Sequence, residues 1–294
     1  MRRPGHAPGV GARGYYFMSQ TIKLSSPATR EFWEIPVLYE DESLLALDKP
    51  SRLLTSPDRY DAERPNLMKL LHASIERGTP WAKERGLTYL MNAHRLDFET
   101  SGIILLAKTK PVLVALANLF GTEKPLKSYL ALVHGVPAKD EFEVDAKLAP
   151  HPVKTGLMRI DEKNGKRART RFEVLEKFSV YALVRCQPFT GRTHQIRVHA
   201  RSAGMPIVGD ELYDGSKLNL SSLKPNYRLK PKQVEKPLIE RVALHAAELR
   251  LPHPVTGAGV MITSPMPKDM TVAVKYLRRY AGGGRANPGM EFRL

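Results

Sequence analysis

His94-Arg95-Leu96-Asp97-Phe98-Glu99-Thr100-Ser101-Gly102 runs directly into Ile103-Ile104-Leu105-Leu106-Ala107-Lys108. A short apolar run bounded by polar residues predicts a buried strand, and the polar residues before it predict a turn. Such a turn can hold one carboxylate, Asp97, still against a ligand. Arg95 is close enough to act on the same ligand or on that carboxylate. The ordinary alternatives are a turn-capping aspartate and a surface ion pair with Arg95.

Outward from this strand, the chain alternates short strand signals with a few helices. Ile35–Tyr39 and Leu44–Leu47, separated by an acidic turn, predict a strand pair. Leu67, Leu70, Leu71 and Ile75 have helical spacing within 66–77. Thr109 and Pro111 supply an N-cap and a first-turn proline for a helix ending near Phe120. Strands follow at 127–133, 142–148, 170–177 and 180–187. A helix is expected over Thr193–Ala203, with Ile196, His199, Ala200 and Ala203 on one stripe and Gly204 as its stop. A strand over 242–251 and a helix over 268–280 close the core. Consecutive strands with short turns favour antiparallel pairing, so the fold class is α+β, a mixed, largely antiparallel sheet with flanking helices. One catalytic domain over 33–281 is expected, with a lysine-rich surface insertion near 214–238. Residues 1–32 are read as a basic disordered extension with Met18 a natural start, and 282–294 as a loose tail.

The chain has 294 residues, 42% of them hydrophobic, enough for a sizeable core. It has no apolar run near the roughly 18 residues a bilayer span needs, so no membrane role is expected. Lys and Arg number 46 against 30 Asp and Glu, a formal charge of +16. That surplus favours a polyanionic partner and salt-sensitive binding. The single cysteine, Cys186, rules out an internal disulfide and a cysteine-based zinc site. It fits a reducing, cytoplasmic setting, and its alternating surroundings suggest a packing thiol.

Further candidates lie downstream. Tyr129, in Lys127-Ser128-Tyr129, shares an alternation face with Ala131 and Val133, so it can equally be a core tyrosine with a bonded hydroxyl. Arg192, His194, Gln195 and Arg197 crowd into Gly191–His199. Arg192 and Arg197 at a helix start suit phosphate or carboxylate binding, although an arginine snorkelling from a half-buried helix is the simpler possibility.

Taken in order, His94-Arg-Leu-Asp97 with Thr100-Ser-Gly102, Lys127-Ser-Tyr129, Gly191-Arg-Thr-His-Gln-Ile-Arg-Val-His199 and Gly204-Met-Pro-Ile-Val-Gly-Asp210 resemble the motifs of the RluA-type pseudouridine synthases. Leu244-His-Ala-Ala-Glu-Leu249 with His253-Pro254 resembles a late motif of that family. The resemblance spans roughly 35–280. It implies the pseudouridine synthase catalytic fold and isomerisation of a uridine in structured rRNA or tRNA, without cofactor or metal. It implies that Asp97 is the catalytic carboxylate, Tyr129 the ring-stacking residue and proton acceptor, and Arg197 the cation that keeps Asp97 ionised. Arg95 would enter the RNA stack vacated by the target base, and His94, Lys127, Arg192, His194 and Gln195 would contact RNA. A phenol of ordinary pKa near 10 is a poor base at neutral pH, which weighs on the proton-accepting role of Tyr129. The chain departs from the family pattern at Asp214, where glycine often follows the tyrosine, and in the insertion. A sheet starting near residue 35 leaves no room for a separate N-terminal RNA-binding domain. Target choice is then expected from the catalytic domain itself, acting as a monomer.

Two other readings compete. One is a metal hydrolase built from His94, His194, His199 and Asp97, although the five-residue step from His194 to His199 does not align two ligands on a helix. The other is an RNA-binding protein that has lost catalysis, against which stands the full set Asp97, Tyr129, Arg95 and Arg197.

Overall fold

The structure, a computed structural model, describes residues 20–58, 61, 63–229 and 232–282. The expectations for residues 1–19 and for the tail beyond residue 282 lie outside the described residues. In chain order the elements begin with β1 (Thr21–Ser26), β2 (Glu31–Glu40), β3 (Leu44–Lys49), α1 (Leu67–Glu76), α2 (Pro80–Glu84), β4 (Met91–Asn92), β5 (Ser101–Ala107) and α3 (Lys110–Gly121). They continue with β6 (Leu126–His134), β7 (Glu141–Asp145), β8 (Leu148–Pro150), β9 (Met158–Ile160), β10 (Arg169–Lys177) and β11 (Tyr181–Pro188). The last are α4 (Gln195–Ser202), a 3-10 turn at Glu211–Tyr213, β12 (Leu244–Pro252), β13 (Gly259–Thr263) and α5 (Lys268–Tyr280).

Strand β5 is buried along its whole length, as its unbroken apolar run requires. It lies inside a sheet ordered β1-β2-β3-β5-β12-β6-β11-β10-β7, with β4 paired to β5 and β13 to β12. Every pairing is antiparallel except β5 with β12, where Ser101 and Gly102 face His245 and Ala246. That parallel join is where the two halves of the sheet meet. Gly102 makes it possible: its φ is +108°, and a Cβ there would run into the Ala246 carbonyl oxygen and lie 2.7 Å from the Ala246 nitrogen. One apolar cluster, including Leu130, Phe172, Val184, Ile207 and Leu277, packs the β6 to β11 half. A second, with Ile22, Ile35, Leu47, Leu71 and Ile104, packs the β1 to β5 half against α1.

The helices start where their caps predict. The Asn66 side chain accepts the Lys69 amide at the head of α1, and Thr109 accepts the Val112 amide at the head of α3. Helix α4 differs from expectation. His194 takes a left-handed conformation (φ 53°) and caps nothing with its side chain, so the helix begins at Gln195 and leaves Thr193 and Arg192 in the preceding loop.

Four further expectations are corrected. The extension expected to be disordered through residue 32 is ordered from residue 20: β1 pairs with β2 from Thr21↔Pro36 to Ser26↔Glu31, which buries Ile22 and Leu24. The strand expected over 142–148 breaks after Asp145, and Leu148 starts the separate two-stranded β8–β9 ribbon. The segment 214–238 lacks helix and strand in its described residues, yet it is more than a surface loop. Leu218 is fully buried and bridges to Ile239, and Leu223 packs on the core. Strand β13 and helix α2 form where no element was expected.

Candidate active site

The turn carrying Asp97 is clamped by a loop from the neighbouring strand. The Thr55 hydroxyl accepts the Leu96 amide at 3.1 Å and donates to the Leu96 carbonyl at 3.0 Å. The Arg52 amide donates to the Phe98 carbonyl at 2.7 Å, and the Thr100 amide donates back to the Asp97 carbonyl at 3.1 Å. Arg64 lies 4.2 Å over the Phe98 ring. The backbone on both sides of Asp97 is thus fixed, and its carboxylate lines a cleft of about 610 Å³ that opens to solvent.

Arg197, on α4, is the arginine nearest the carboxylate. Its Nη1 lies 3.6 Å from Asp97 Oδ2, and no ion pair joins Arg95 to Asp97. The strongest partner of Arg197 is a residue for which the sequence suggested no role. Asp210 accepts from Arg197 Nε and Nη2, each at 2.7 Å, and both residues are buried. The Tyr213 ring lies 4.9 Å beneath the guanidinium. Asp210 therefore takes one edge of the fork and leaves Nη1 for Asp97. A bidentate pair in low dielectric holds the guanidinium in place better than Asp97 could alone.

His194 approaches Asp97 from the same side, with Nε2 3.9 Å from Oδ2. Burial lowers its pKa; the Asp97 charge opposes this, and Arg197 reinforces it. Its Nδ1 is 2.7 Å from the Tyr213 hydroxyl, which also accepts the Met158 amide at 2.9 Å.

Tyr129 sits half-buried on β6 in the cleft wall, opposite Cys186 on β11 and Ala246 on β12. Burial pushes its phenol pKa up, and the Asp97 charge adds to the rise, so the hydroxyl keeps its proton throughout the working pH range. Lys127, two residues earlier on the same face, also lines the cleft, and burial lowers its pKa. Arg95 and Arg192 are exposed at the rim, where the Arg192 Nε donates to the Arg167 carbonyl at 3.1 Å.

Two expected RNA contacts are engaged elsewhere. His94 does not line the cleft: its Nε2 accepts the Leu105 amide at 3.1 Å, its ring packs on Phe120, and burial lowers its pKa to about 4. The buried Gln195 amide is fully used by Thr190, the Arg192 amide, the Arg169 carbonyl and Thr170, so it ties the rim loop to β10. His94, His194 and His199 do not converge, because they bond respectively to Leu105, Tyr213 and Thr170. That geometry contradicts the histidine metal-hydrolase reading.

Sequence reasoning also passed over Lys49. It closes β3 fully buried, donates to the Pro50 and Leu53 carbonyls at 2.7 Å each, and has its pKa lowered to about 7 by burial against the raising effect of Asp97. A lysine ending an apolar strand, directly before a proline, was the available signal. For Asp210 it was an acid directly after the mostly apolar stretch Met205–Gly209.

A carboxylate fixed on a turn, faced by a guanidinium with its own buried counter-ion and by an aromatic wall in a basic-rimmed cleft, is the kind of site that suits an enzyme with an anionic, planar substrate. The family model for RNA pseudouridylate synthase matches residues 43–202, and the chain belongs to that family. It is similar to ribosomal large subunit pseudouridine synthase D of Nitrosomonas europaea, with 36% identity over 86% of this chain and 68% of the relative. It is also similar to ribosomal large subunit pseudouridine synthase C of Escherichia coli, with 34% identity over 82% of this chain and 70% of the relative. Among solved structures, human RNA pseudouridylate synthase domain containing 4 aligns with a TM-score of 0.61 at 25% identity, over 82% of this chain and 92% of that one. The protein is an isomerase that converts uridine to pseudouridine in RNA.

Proposed function

We propose that this enzyme isomerises a uridine of large-subunit ribosomal RNA, with Asp97 as the reacting carboxylate. Support for the substrate comes from the relatives named for that RNA. The observation that carries the role of Asp97 is its place in the cleft, 3.6 Å from an Arg197 already locked by Asp210. Here a cation is held ready whether or not substrate is present.

The uridine must leave its stack to expose C1′ to a side chain, at a cost of roughly a few kcal/mol offset by contacts in the cleft. Arg95, exposed at the rim, fills the gap with its planar guanidinium. Asp97 then acts at the ribose, either by attack on C1′ or by removal of the 2′ proton. The C1′–N1 bond breaks as Asp97 bonds C1′ or takes the 2′ proton, and the uracil turns against Tyr129; C5 then bonds to C1′ as the Asp97–C1′ bond breaks or the proton returns to C2′, and the C5 proton passes to solvent while N1 takes one up. Tyr129 serves as the stacking wall, since a phenol held protonated by burial and by Asp97 is a poor acceptor for that proton. Lys127 and Arg192 meet phosphate at the cleft rim. We read the protein as a monomer, and as one of the reducing cytoplasm on the support of its one buried thiol, Cys186.

The test is release of tritium from RNA labelled at uridine C5. Wild type releases label, and Asp97→Ala binds the same RNA and releases none. An Asp97→Ala enzyme that still released tritium would remove Asp97 from the chemistry. A wild type inert on every cellular RNA fraction would favour a binding-only protein. Mapping pseudouridines in total RNA from a deletion strain identifies the target, and a lost site in transfer RNA would overturn the ribosomal assignment.

A further inference from the structure

His194 is the one described residue of α4 or its N-terminal boundary with a left-handed backbone (φ 53°). Left-handed backbone is strained for a residue with a Cβ, and such strain persists only where the surroundings enforce it. Here it aims the imidazole into the gap between Tyr213 and Asp97. The rings of His194 and Tyr213 meet edge to face at 5.6 Å, and Tyr213 is 1% exposed. The Tyr213 hydroxyl oxygen already accepts the Met158 amide, so its own hydrogen needs an acceptor, and His194 Nδ1 lies 2.7 Å away. A proton donated to Nδ1 fixes the neutral tautomer with hydrogen on Nε2, the atom 3.9 Å from Asp97 Oδ2.

We infer that His194 and Tyr213 form a positioning pair for the reaction: Tyr213 fixes the imidazole tautomer, and the His194 Nε2–H steadies the Asp97 carboxylate. This rests on the reading of Asp97 as the reacting carboxylate. It replaces the expectation that His194 contacts RNA. The separation of 3.9 Å is longer than a hydrogen bond, and such contacts commonly tighten when substrate closes the site. A neutral donor suits the task. It orients the carboxylate without pairing it away, whereas an imidazolium would form a full ion pair and blunt its reactivity. The charged groups around the imidazole are Asp97 on its turn, Arg197 on α4, Asp210 beside the 3-10 turn, and Arg95 at the rim. Burial outweighs the two carboxylates, and the imidazole stays uncharged near neutrality.

The experiment compares single-turnover rates, kcat, KM, RNA affinity and pH profiles for wild type, His194→Asn, His194→Gln, Tyr213→Phe, the double variant His194→Gln/Tyr213→Phe and Asp97→Asn. Asparagine tolerates the left-handed backbone but cannot reach Asp97; glutamine places an amide donor near the Nε2 position; phenylalanine keeps the ring under Arg197 and removes only the hydroxyl. A lost hydrogen bond to a charged group corresponds to roughly a ten- to hundredfold rate change. His194→Asn is expected to lose about that much in kcat with KM nearly unchanged, and His194→Gln to recover part of it. In Tyr213→Phe the neutral imidazole loses the donor that favours it, so the acid limb of the rate profile moves to higher pH. In His194→Gln that shift on removing the Tyr213 hydroxyl is absent. Rates within twofold of wild type for both His194→Asn and Tyr213→Phe, beside an inactive Asp97→Asn, would overturn the positioning role alone. A loss confined to KM would return His194 to RNA contact. An active Asp97→Asn would instead sink the reading of the site on which the inference rests.

Discussion

Asp210→Asn separates what Arg197 does for stability from what it does for Asp97. In the wild type Asp210 accepts two bonds of 2.7 Å from a guanidinium, with Asp210 1% and Arg197 5% exposed. Asparagine keeps the size and one acceptor oxygen but turns an amide donor towards Arg197, so one bond weakens and the other becomes a donor facing a donor. Breaking a buried ion pair from one side costs about 3 to 5 kcal/mol. For a folded unit of this size each kcal/mol corresponds to roughly 2–4 °C in Tm, which gives a fall of about 6–20 °C. A protein with more than about 7 kcal/mol, within the usual range of about 5–15 kcal/mol, stays folded at 25 °C after that loss. Of the carboxylates left near the freed guanidinium, Asp97 and Glu99, Asp97 is the one within ion-pair distance, 3.6 Å from Nη1. The guanidinium should collapse onto Asp97 and turn a steadying neighbour into a full ion-pair partner. Tritium release per folded molecule, measured well below the new Tm, is therefore expected to fall about a hundredfold or more, on the scale set by 1.4 kcal/mol per decade. Calorimetry supplies Tm, and circular dichroism at the assay temperature supplies the folded fraction. A Tm within 2 °C of wild type would refute the claim that Asp210 is the main partner of Arg197. A large Tm loss with an unchanged rate per folded molecule would refute the coupling of Arg197 to Asp97.

Other outcomes follow from single contacts. Gly102→Ala should destabilise the protein by more than about 3 kcal/mol or prevent folding, because its Cβ would collide with the Ala246 backbone at the one parallel join; soluble expression and urea midpoints report it. Tyr129→Phe should lose no more than about tenfold in rate, and Tyr129→Ala far more, if stacking rather than proton transfer is its work; an inert Tyr129→Phe would restore the base role. The buried Lys49 has a folded pKa depressed to about 7, below its unfolded value, so the unfolded chain binds more protons between about pH 7 and 10.5. The penalty of burying its charge is then full below pH 7 and relieved as pH rises through that window. The stability difference between wild type and Lys49→Met should shift in favour of wild type by up to about 1.4 kcal/mol per pH unit there, and a flat difference would refute it. RNA affinity should fall steeply with salt, and Lys127→Ala or Arg192→Ala should flatten that slope by about one charge each.

The parts of the fold that were legible carry their reasons locally. Strand β5 announces itself as an apolar run, α1 and α3 by their capping side chains, and α5 by its periodic stripe of Met270, Ala273, Val274 and Leu277. Strand β1 was missed because Ile22 and Leu24 are its only large apolar residues, and they become a strand through pairing with β2 and burial against α1. In the same way β13 exists through its partner β12. At the site, motif order located Asp97, Tyr129 and Arg197, which the fold brings to one cleft. The partner of a charged side chain is a tertiary fact. Nothing in the spacing distinguishes Asp210, which holds Arg197, from Asp214, which pairs with Arg201 on the surface. His94 misled for a related reason: a histidine close in sequence to the candidate carboxylate invites a functional reading, yet here a strand amide needed an acceptor.

The site also explains why the one parallel pairing of the sheet falls where it does. Asp97 and its Thr55 clamp belong to the half built on β1 to β5, whereas Tyr129, His194, Arg197 and Asp210 belong to the half built on β6 to β11. The distance between carboxylate and guanidinium is therefore set by the join of β5 to β12, a few residues from Asp97. Three contacts fix that join. Gly102 lets the Ala246 backbone approach, Ser101 bonds His245 at 3.0 Å, and the buried Arg241 ties the loop before β12 to Asp269 at 2.7 Å and to the Glu99 carbonyl at 3.4 Å. Glu99 lies in the turn that carries Asp97. A shift of an ångström at this seam would move Asp97 relative to Arg197 by a similar amount, and misplacement on that scale can cost about a hundredfold in rate. None of these seam residues lines the cleft, so what they contribute to the site is to hold the two halves in register.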